Sequence, residues 1–247
     1  MAKSEKYISV EQMTDKQQIN IVKSIFKSIP NKYDFLNQIF SVYQDRYWRR
    51  KTVSKMNFFD SHEFLDIATG TADLAIDCAQ TYDKVKVTGV DFVNEILQKG
   101  IQKVDEKKLA SRINLRWGDA LSLGFKDNSF DVSAIAFGIR NIPNREKALL
   151  EMKRVVISNG QIIILELTKP KFWLLRWAYF FYLNIIMPFI AKIFTKEPIA
   201  YKYLADSIMN FPEEKEFLKL MNLIGLRNCK AIPLTFGVCT LYIGEKK

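Results

Sequence analysis

A chain of 247 residues suits one large domain, since single cores divide only beyond ~250–300 residues. Hydrophobic residues at 48% and charged residues at 26% exclude wholesale disorder and a polytopic membrane protein. Three cysteines (Cys78, Cys229, Cys239) and a single histidine, His62, give neither a disulfide framework nor a metal-ligand spacing, while 37 Lys plus Arg against 27 Asp plus Glu, a net +10, favours an anionic partner: nucleic acid, acidic lipid or a phosphorylated substrate.

Met1–Lys6 is polar rather than an apolar leader, so the expected compartment is a reducing cytosol. Before residue 60 the pattern is helical, with Ile19, Val22, Ile25 and Ile29 on one face and a mixed apolar and basic run from Asp34 to Met56. Arg46, Arg49, Arg50, Lys51 and Lys55 stand there against Asp45 alone. From Glu63 short β-rich runs alternate with amphipathic helices, the pattern of βαβ units and a parallel sheet. The predicted strands are 64–68, 85–90, 112–117, 130–136 and 160–167. Helical stripes follow at Ile96, Leu97, Ile101 and Val104, and at Ala148, Leu149, Met152 and Val155.

Residues 177–191 then run fifteen positions without a charge, short of the ~20 a spanning helix needs and interrupted by Asn184 and Pro188. Aromatics flanked by Lys171, Arg176 and Lys192 suit a segment lying at a membrane interface or lining an apolar pocket, and a buried core helix explains them equally well. A polar helix near 198–208, a helix at 213–224 and strands near 227–232 and 235–243 complete the chain. No linker or repeat divides it. The expected division is a helical cap over 1–60, a cofactor-binding α/β core over 61–170, an apolar and basic insertion over 171–210, and a closing helix and strand pair over 211–247.

Open parallel sheets bind ligands beyond the carboxyl ends of their strands. The first strand ends in Asp66-Ile67-Ala68-Thr69-Gly70-Thr71-Ala72-Asp73, a small-residue turn opening a helix, where backbone can approach a ligand. Twenty-one residues after Gly70 stands Asp91 at the end of the second strand, the position at which nucleotide-binding folds hold ribose hydroxyls; capping of the next helix explains Asp91 as well. The third strand ends in Gly118-Asp119-Ala120, and the fourth leads into Phe137-Gly138-Ile139-Arg140-Asn141, two polar side chains expected to face the ligand crevice.

Taken in order, DIATGTAD, GVD, GDA, FGIRN, YKYLADSIMNFP and GVCTLYIGEKK resemble the ubiquinone/menaquinone biosynthesis C-methyltransferase family over nearly the whole chain, from Lys32-Tyr33-Asp34-Phe35-Leu36-Asn37 onward. The resemblance implies a Rossmann-like class I methyltransferase fold, a mixed seven-stranded sheet with N-terminal helices and a helical insertion before the last strands. It implies S-adenosylmethionine as cofactor and a polyprenylated quinol as substrate, methylated at a ring carbon. Thr71 is then expected against the cofactor's methionine part, Asp91 at its ribose, and Asp119 with Ala120 beside its adenine; Asp66, Ala68, Gly70 and Ala136 complete the expected cofactor set. Arg140, Asn141 and Asp34 form the expected catalytic set, Arg140 as oxyanion stabiliser because its pKa above ~12 bars it from acting as an ordinary base. Tyr33, Asn37 and Tyr201 are further pocket residues. Thr69 and Ala72 replace two glycines of the family turn, Ala136 replaces a Ser, Ile157-Ser158-Asn159-Gly160 replaces a Lys-Pro-Gly-Gly turn, and Tyr242 replaces a His.

A lipid-borne substrate gives the aromatic stretch and the basic run at 46–55 a joint purpose, peripheral attachment at the inner face of a membrane; a second copy of the chain is also allowed as partner. Two other classes fit less well. A nicotinamide oxidoreductase favours a full Gly-x-Gly-x-x-Gly turn, which Ala68, Gly70 and Ala72 do not supply. An RNA-modifying protein accounts for the charge, but the sequence carries no Asn-Pro-Pro-Tyr-like base-flipping motif and no appended RNA module, so nucleic acid is not an expected partner.

Overall fold

A computed structural model describes residues 7–28, 38–59, 61–194 and 198–247; the expected site residues Tyr33, Asp34 and Asn37, and helix position Ile29, lie outside them. Seven strands form one sheet: β1 (Glu63–Ile67), β2 (Lys86–Asp91), β3 (Ile113–Trp117), β4 (Phe130–Ala136), β5 (Val156–Leu167), β6 (Leu226–Leu234) and β7 (Cys239–Lys246), in the order β3-β2-β1-β4-β5-β7-β6. The first five pair in parallel, and β7 runs antiparallel between β5 and β6. The chain steps outward from β1 to β3 and returns to β4 beside β1, so the strand order reverses between β1 and β4 and a crevice opens at their carboxyl ends.

Alternation along the central strands divides the interior into two apolar layers. Ile163 and Leu165 of β5 point to the layer built on α2 (Gln44–Val53) and α3 (Asp73–Thr81), with Trp48, Val53, Leu74 and Ala75. Ile162 and Ile164 point to the other, under α5 (Arg145–Val155) and α9 (Glu214–Leu223), where Leu149, Met152, Phe217 and Met221 are buried. Helix α4 (Asn94–Glu106) covers β2 and β3. Two smaller clusters hold a cap over the carboxyl edge. One joins Val10 and Val22 of the N-terminal segment, which includes α1 (Asp15–Ser28), to Tyr203; the other joins Leu183 and Met187 to Ala205 and Ile208 of α8 (Pro198–Met209).

Two expectations are corrected. The last strand begins at Cys239, because Thr235, Phe236 and Gly237, at φ of 45°, 57° and 86°, form the tight turn that reverses the chain between β6 and β7. The apolar stretch is longer than its uncharged run suggests. α6 (Trp173–Phe181), a π-helical turn (Tyr182–Ile186) and α7 (Met187–Phe194) follow without a break. Pro188 has no N–H to give to Asn184, and the wider π turn just before it absorbs that misfit without ending the helix. By length and composition Trp173–Ile190 could cross a bilayer, at a mean hydropathy of 1.3, yet Leu183 and Met187 on one side are buried in the cap while Trp173 (72% exposed), Trp177 (63%) and Phe181 (48%) on the other meet solvent.

Phe217 is fully buried between Phe211 and Tyr242, so Phe217→Ala should cost about 3–5 kcal/mol in urea unfolding. Trp173→Ser and Trp177→Ser, at exposed positions, should each stay within about 0.5 kcal/mol of the parent.

Candidate active site

At the carboxyl edge three cavities adjoin. The first, about 290 Å³, lies over the ends of β1 to β4 and is lined by Ala68, Gly70, Asp91, Asp119, Ala120, Ala136 and Asn141, with Ile96 and Trp117 as apolar walls. A small one of about 50 Å³ holds Asp66, Ala68, Gly70, Thr71 and Ala136 together with Arg49 and Asp73. The third, about 560 Å³, is mostly apolar, bounded by Phe40, Trp48, Tyr179, Tyr182, Leu183, Met187 and Ile208, with Arg140 in its wall. The structure therefore assembles every described residue of the expected cofactor set around the first two cavities, and separates Arg140 from Asn141, which the sequence placed in one crevice.

The first-strand turn is shaped by its contacts with β2. Gly70, in the left-handed region at φ 56°, donates its N–H to Asp91 Oδ2 at 2.9 Å, and Val93 N–H donates to Oδ1 at 2.9 Å. Asp91 thus fastens the turn to the chain entering α4 and presents unused lone pairs to the cavity; it does not cap that helix, whose N-cap is Val93 with no side-chain capping bond. Burial pushes its carboxyl up to about 6 against the pull of those backbone N–H groups. Burial likewise pushes Asp66 up to about 7, although Thr69 Oγ1 donates to it at 2.6 Å. Of the two residues standing in place of family glycines, Thr69 is thereby explained, since its hydroxyl satisfies a buried carboxyl and it is not among the residues of positive φ. Ala72 carries the strain, at φ 65° immediately before α3, in a region that glycine enters without a Cβ penalty. At the third strand Asp119 Oδ1 accepts the Leu121 N–H at 2.9 Å, holding the Gly118-Asp119-Ala120 turn at the cavity rim.

Arg140 is almost fully buried. Its Nη1 donates to Glu166 Oε1 at 2.5 Å and to the Phe137 carbonyl at 2.6 Å, and its backbone N–H donates to Glu166 Oε2 at 3.1 Å. Glu166, wholly buried at the end of β5, also accepts the Leu167 N–H. Such a paired and hydrogen-bonded charge is tolerated in an apolar wall. Asn141 Oδ1 accepts the Tyr203 hydroxyl at 3.2 Å and lines the cavity of Asp91. Tyr201 is buried in the cap and stacks edge-on against Phe40. Phe137 takes φ 58°, strained for a bulky side chain by roughly 1–3 kcal/mol, and Gly138 beside it is needed because a Cβ there would meet the Ala68 Cβ at 2.8 Å.

Several lining residues escaped the sequence analysis. Ile19, Val22, Lys23 and Phe26 of α1 wall the first cavity; the periodicity identified a buried face but not what it covers. Arg49, read as a surface cation, is buried, donating to Asp45 at 2.6 Å and lying 3.2 Å from Asp73 and 3.8 Å from Asp77. In sequence only the i,i+4 spacing of Asp45 and Arg49 hinted at a pair; Asp73 and Asp77 reach Arg49 through tertiary contact. Lys171 and Arg176 are likewise engaged within the chain, with Glu214 and Glu213.

Residues 11–246 match the ubiE/COQ5 methyltransferase family. A ubiquinone/menaquinone biosynthesis C-methyltransferase of Geotalea daltonii is 41% identical over 226 residues, covering 91% of this chain and 96% of that protein. A demethylmenaquinone methyltransferase of Bacillus subtilis is 39% identical, over 91% and 97%. Among solved structures, an S-adenosylmethionine-dependent methyltransferase of Thermotoga maritima superposes with a TM-score of 0.61 at 18% identity, covering 91% of this chain and 99% of that one. The fold is thus the class I methyltransferase fold that the sequence implied.

Arg49→Ala should lower stability by about 3 kcal/mol, because Asp45, Asp73 and Asp77 would be left without their shared cation. Burial already raises the Asp77 carboxyl despite Arg49 beside it. The deficit, measured by urea unfolding, should therefore shrink as the pH is lowered and Asp77, its carboxyl raised by burial, takes up a proton.

Proposed function

Because this chain belongs to the ubiE/COQ5 methyltransferase family, we propose that its adjoining cavities bring S-adenosylmethionine against a lipid-borne quinol. The chain is an S-adenosylmethionine-dependent C-methyltransferase of quinone biosynthesis. The observation that carries the finer reading is the contact of two unlike cavities: one with a buried carboxylate and a close-approach glycine turn, the other mostly apolar, with two buried guanidiniums in its wall, Arg140 held by Glu166 and Arg49 held by Asp45. The first fits the cofactor, since Asp91 retains acceptors for ribose hydroxyls, Ile96 and Ala120 give flat apolar walls, and the 68–71 turn lies open toward the small cavity. Asp66 supports the turn from beneath through Thr69.

When bound, S-adenosylmethionine would supply the methyl group, the ring carbon providing the electron pair of the new bond, the methyl–sulfur pair staying on sulfur, and the ring proton returning through water to the quinol oxygen, so that one proton is released in all. The rest falls to the protein. Arg140 stabilises the negative charge that gathers on a quinol oxygen, aimed by Glu166 and by its bond to the Phe137 carbonyl. It remains protonated throughout, so the hydroxyl proton passes to water or to a neighbouring side chain. The apolar wall excludes competing water and leaves room for the first part of an isoprenoid tail.

The tail's exit supports a peripheral membrane site. Val42 and Phe236, which line the large cavity, are exposed, and Tyr43, Tyr47, Trp173, Trp177 and Phe181 are exposed on neighbouring segments. With Tyr179, Leu183 and Met187 engaged by the cavity, the 173–194 helix lies in the plane of the interface with its aromatic side in lipid. Arg46, Arg50 and Lys55, all exposed, are the cations available to headgroups; Arg49, enclosed by carboxylates, is not.

Calorimetry should show S-adenosylmethionine binding that Asp91→Ala weakens by about 1–3 kcal/mol, and that fades as the pH falls through about 6, where Asp91 takes up a proton and loses an acceptor. Unchanged affinity in the variant would leave Asp91 as the residue that fastens the Gly70 turn only. Arg140→Lys should depress turnover on a prenylated quinol far more than cofactor affinity, since an ammonium cannot reproduce the planar fork. In flotation assays the protein should bind vesicles containing anionic lipid, more weakly in high salt, and lose binding when Trp173, Trp177 and Phe181 become Ser; no flotation at low salt refutes the membrane site.

A further inference from the structure

Among the described residues lining the three cavities, Phe137 is the one common to all of them. The large and the first cavity share no other lining residue; the large and the small one share only Arg49 besides. A methyl group leaving the cofactor for the quinol must therefore cross at Phe137. The backbone holds this residue where an aromatic side chain does not settle unaided. Its φ of 58° is kept by the Phe137 N–H donating to the Leu165 carbonyl at 2.7 Å, by Arg140 Nη1 on its own carbonyl, and by Gly138 pressed against Ala68. Its ring is tilted against Trp48, 6.0 Å between centroids, on the side of the large cavity. A strained conformation fastened from three directions at a crossing point is the signature of a position set by function.

Resting on the S-adenosylmethionine reading above, we propose that Phe137 is the residue that recognises the charge of the methyl donor: its ring forms the shared wall and offers its electron-rich face to the cationic sulfur. The donor carries a sulfonium and the demethylated product a neutral thioether. An aromatic face attracts a cation and is nearly indifferent to the uncharged atom that replaces it. The buried carboxylates Asp66 and Asp91 hold both forms of the ligand through the parts they have in common, so they do not distinguish charged from uncharged sulfur as directly. Phe137 then favours entry of the donor and exit of the product, and it also keeps the quinol ring on its own side until the two meet.

The test is the ratio of affinities, measured by calorimetry on the full chain for S-adenosylmethionine and S-adenosylhomocysteine. Phe137→Leu keeps an apolar wall and removes the aromatic face. It should weaken the sulfonium ligand by roughly threefold to tenfold and the thioether ligand by less than about twofold. Replacing Phe137 by phenylalanines with one, two and three ring fluorines preserves the shape, guards against a folding defect in the Leu variant, and should lower the ratio stepwise. Equal weakening of both ligands, or no change across the fluorinated series, makes Phe137 a packing residue and overturns the proposal. If the unmodified protein binds neither ligand, the cofactor reading itself fails and takes the proposal with it.

Discussion

The ion pair of Arg140 with Glu166 is where the sheet, the cap and the two sites meet. Glu166 ends a wholly buried stretch of β5 and accepts hydrogen bonds from the Arg140 guanidinium, the Arg140 backbone and Leu167. Arg140 in turn holds the carbonyl of Phe137, and its own carbonyl accepts bonds from Gln18 of α1 at 3.4 Å and Arg145 of α5 at 3.3 Å. One buried pair thereby secures the left-handed turn after β4, the position of the helix over the cofactor cavity and the start of the helix under the sheet. Burying two charges is unfavourable unless nearly every polar contact is met. The bonds at Arg140 Nη1, to Glu166 and to the Phe137 carbonyl, offset much of that cost and make the guanidinium a fixed feature of the cavity wall rather than a mobile arm.

The parallel core was legible from residue patterns. Runs such as 130–136 and 160–167 are β-rich and bounded by turn residues, and the helical stripes between them set the βαβ order; the positions of Gly70 and Asp91 followed from strand ends and spacing. What escaped was decided by tertiary contact. Nothing local in Ile19, Val22 or Phe26 says that the face they form covers a ligand cavity, because an apolar stripe has the same period whatever it packs against. Arg49 looks like its neighbours Arg50 and Lys51 in sequence, and only the docking of α2 on α3 turns it inward. The left-handed conformations of Ala72 and Phe137 were illegible for another reason: propensity argues against them, and surrounding bonds override it. The reversal at Thr235–Gly237 was missed because its β-branched and aromatic residues read as strand.

Charge is distributed unevenly around this scaffold. The net excess of cations belongs to the surface, whereas the carboxyl edge of the sheet gathers Asp66, Asp73, Asp77 and Asp91, with Arg49 and Lys103 as the counterions nearest to Asp73. A basic exterior and an acidic interior serve different encounters. The field of exposed cations reaches about a Debye length into solvent, whereas buried carboxylates act only on groups at hydrogen-bond distance.

The N-terminal segment crosses the cap and is fastened to α8 by polar bonds at Asp206, which accepts the Tyr7 hydroxyl at 2.9 Å and the Val10 N–H at 2.6 Å. α1, which follows directly, is a wall of the cavity over β1 to β4, while α8 supplies Leu204 and Ile208 to the large apolar cavity. Asp206 therefore ties one wall of each chamber to the other, through the segment that leads into α1 on one side and through α8 on the other.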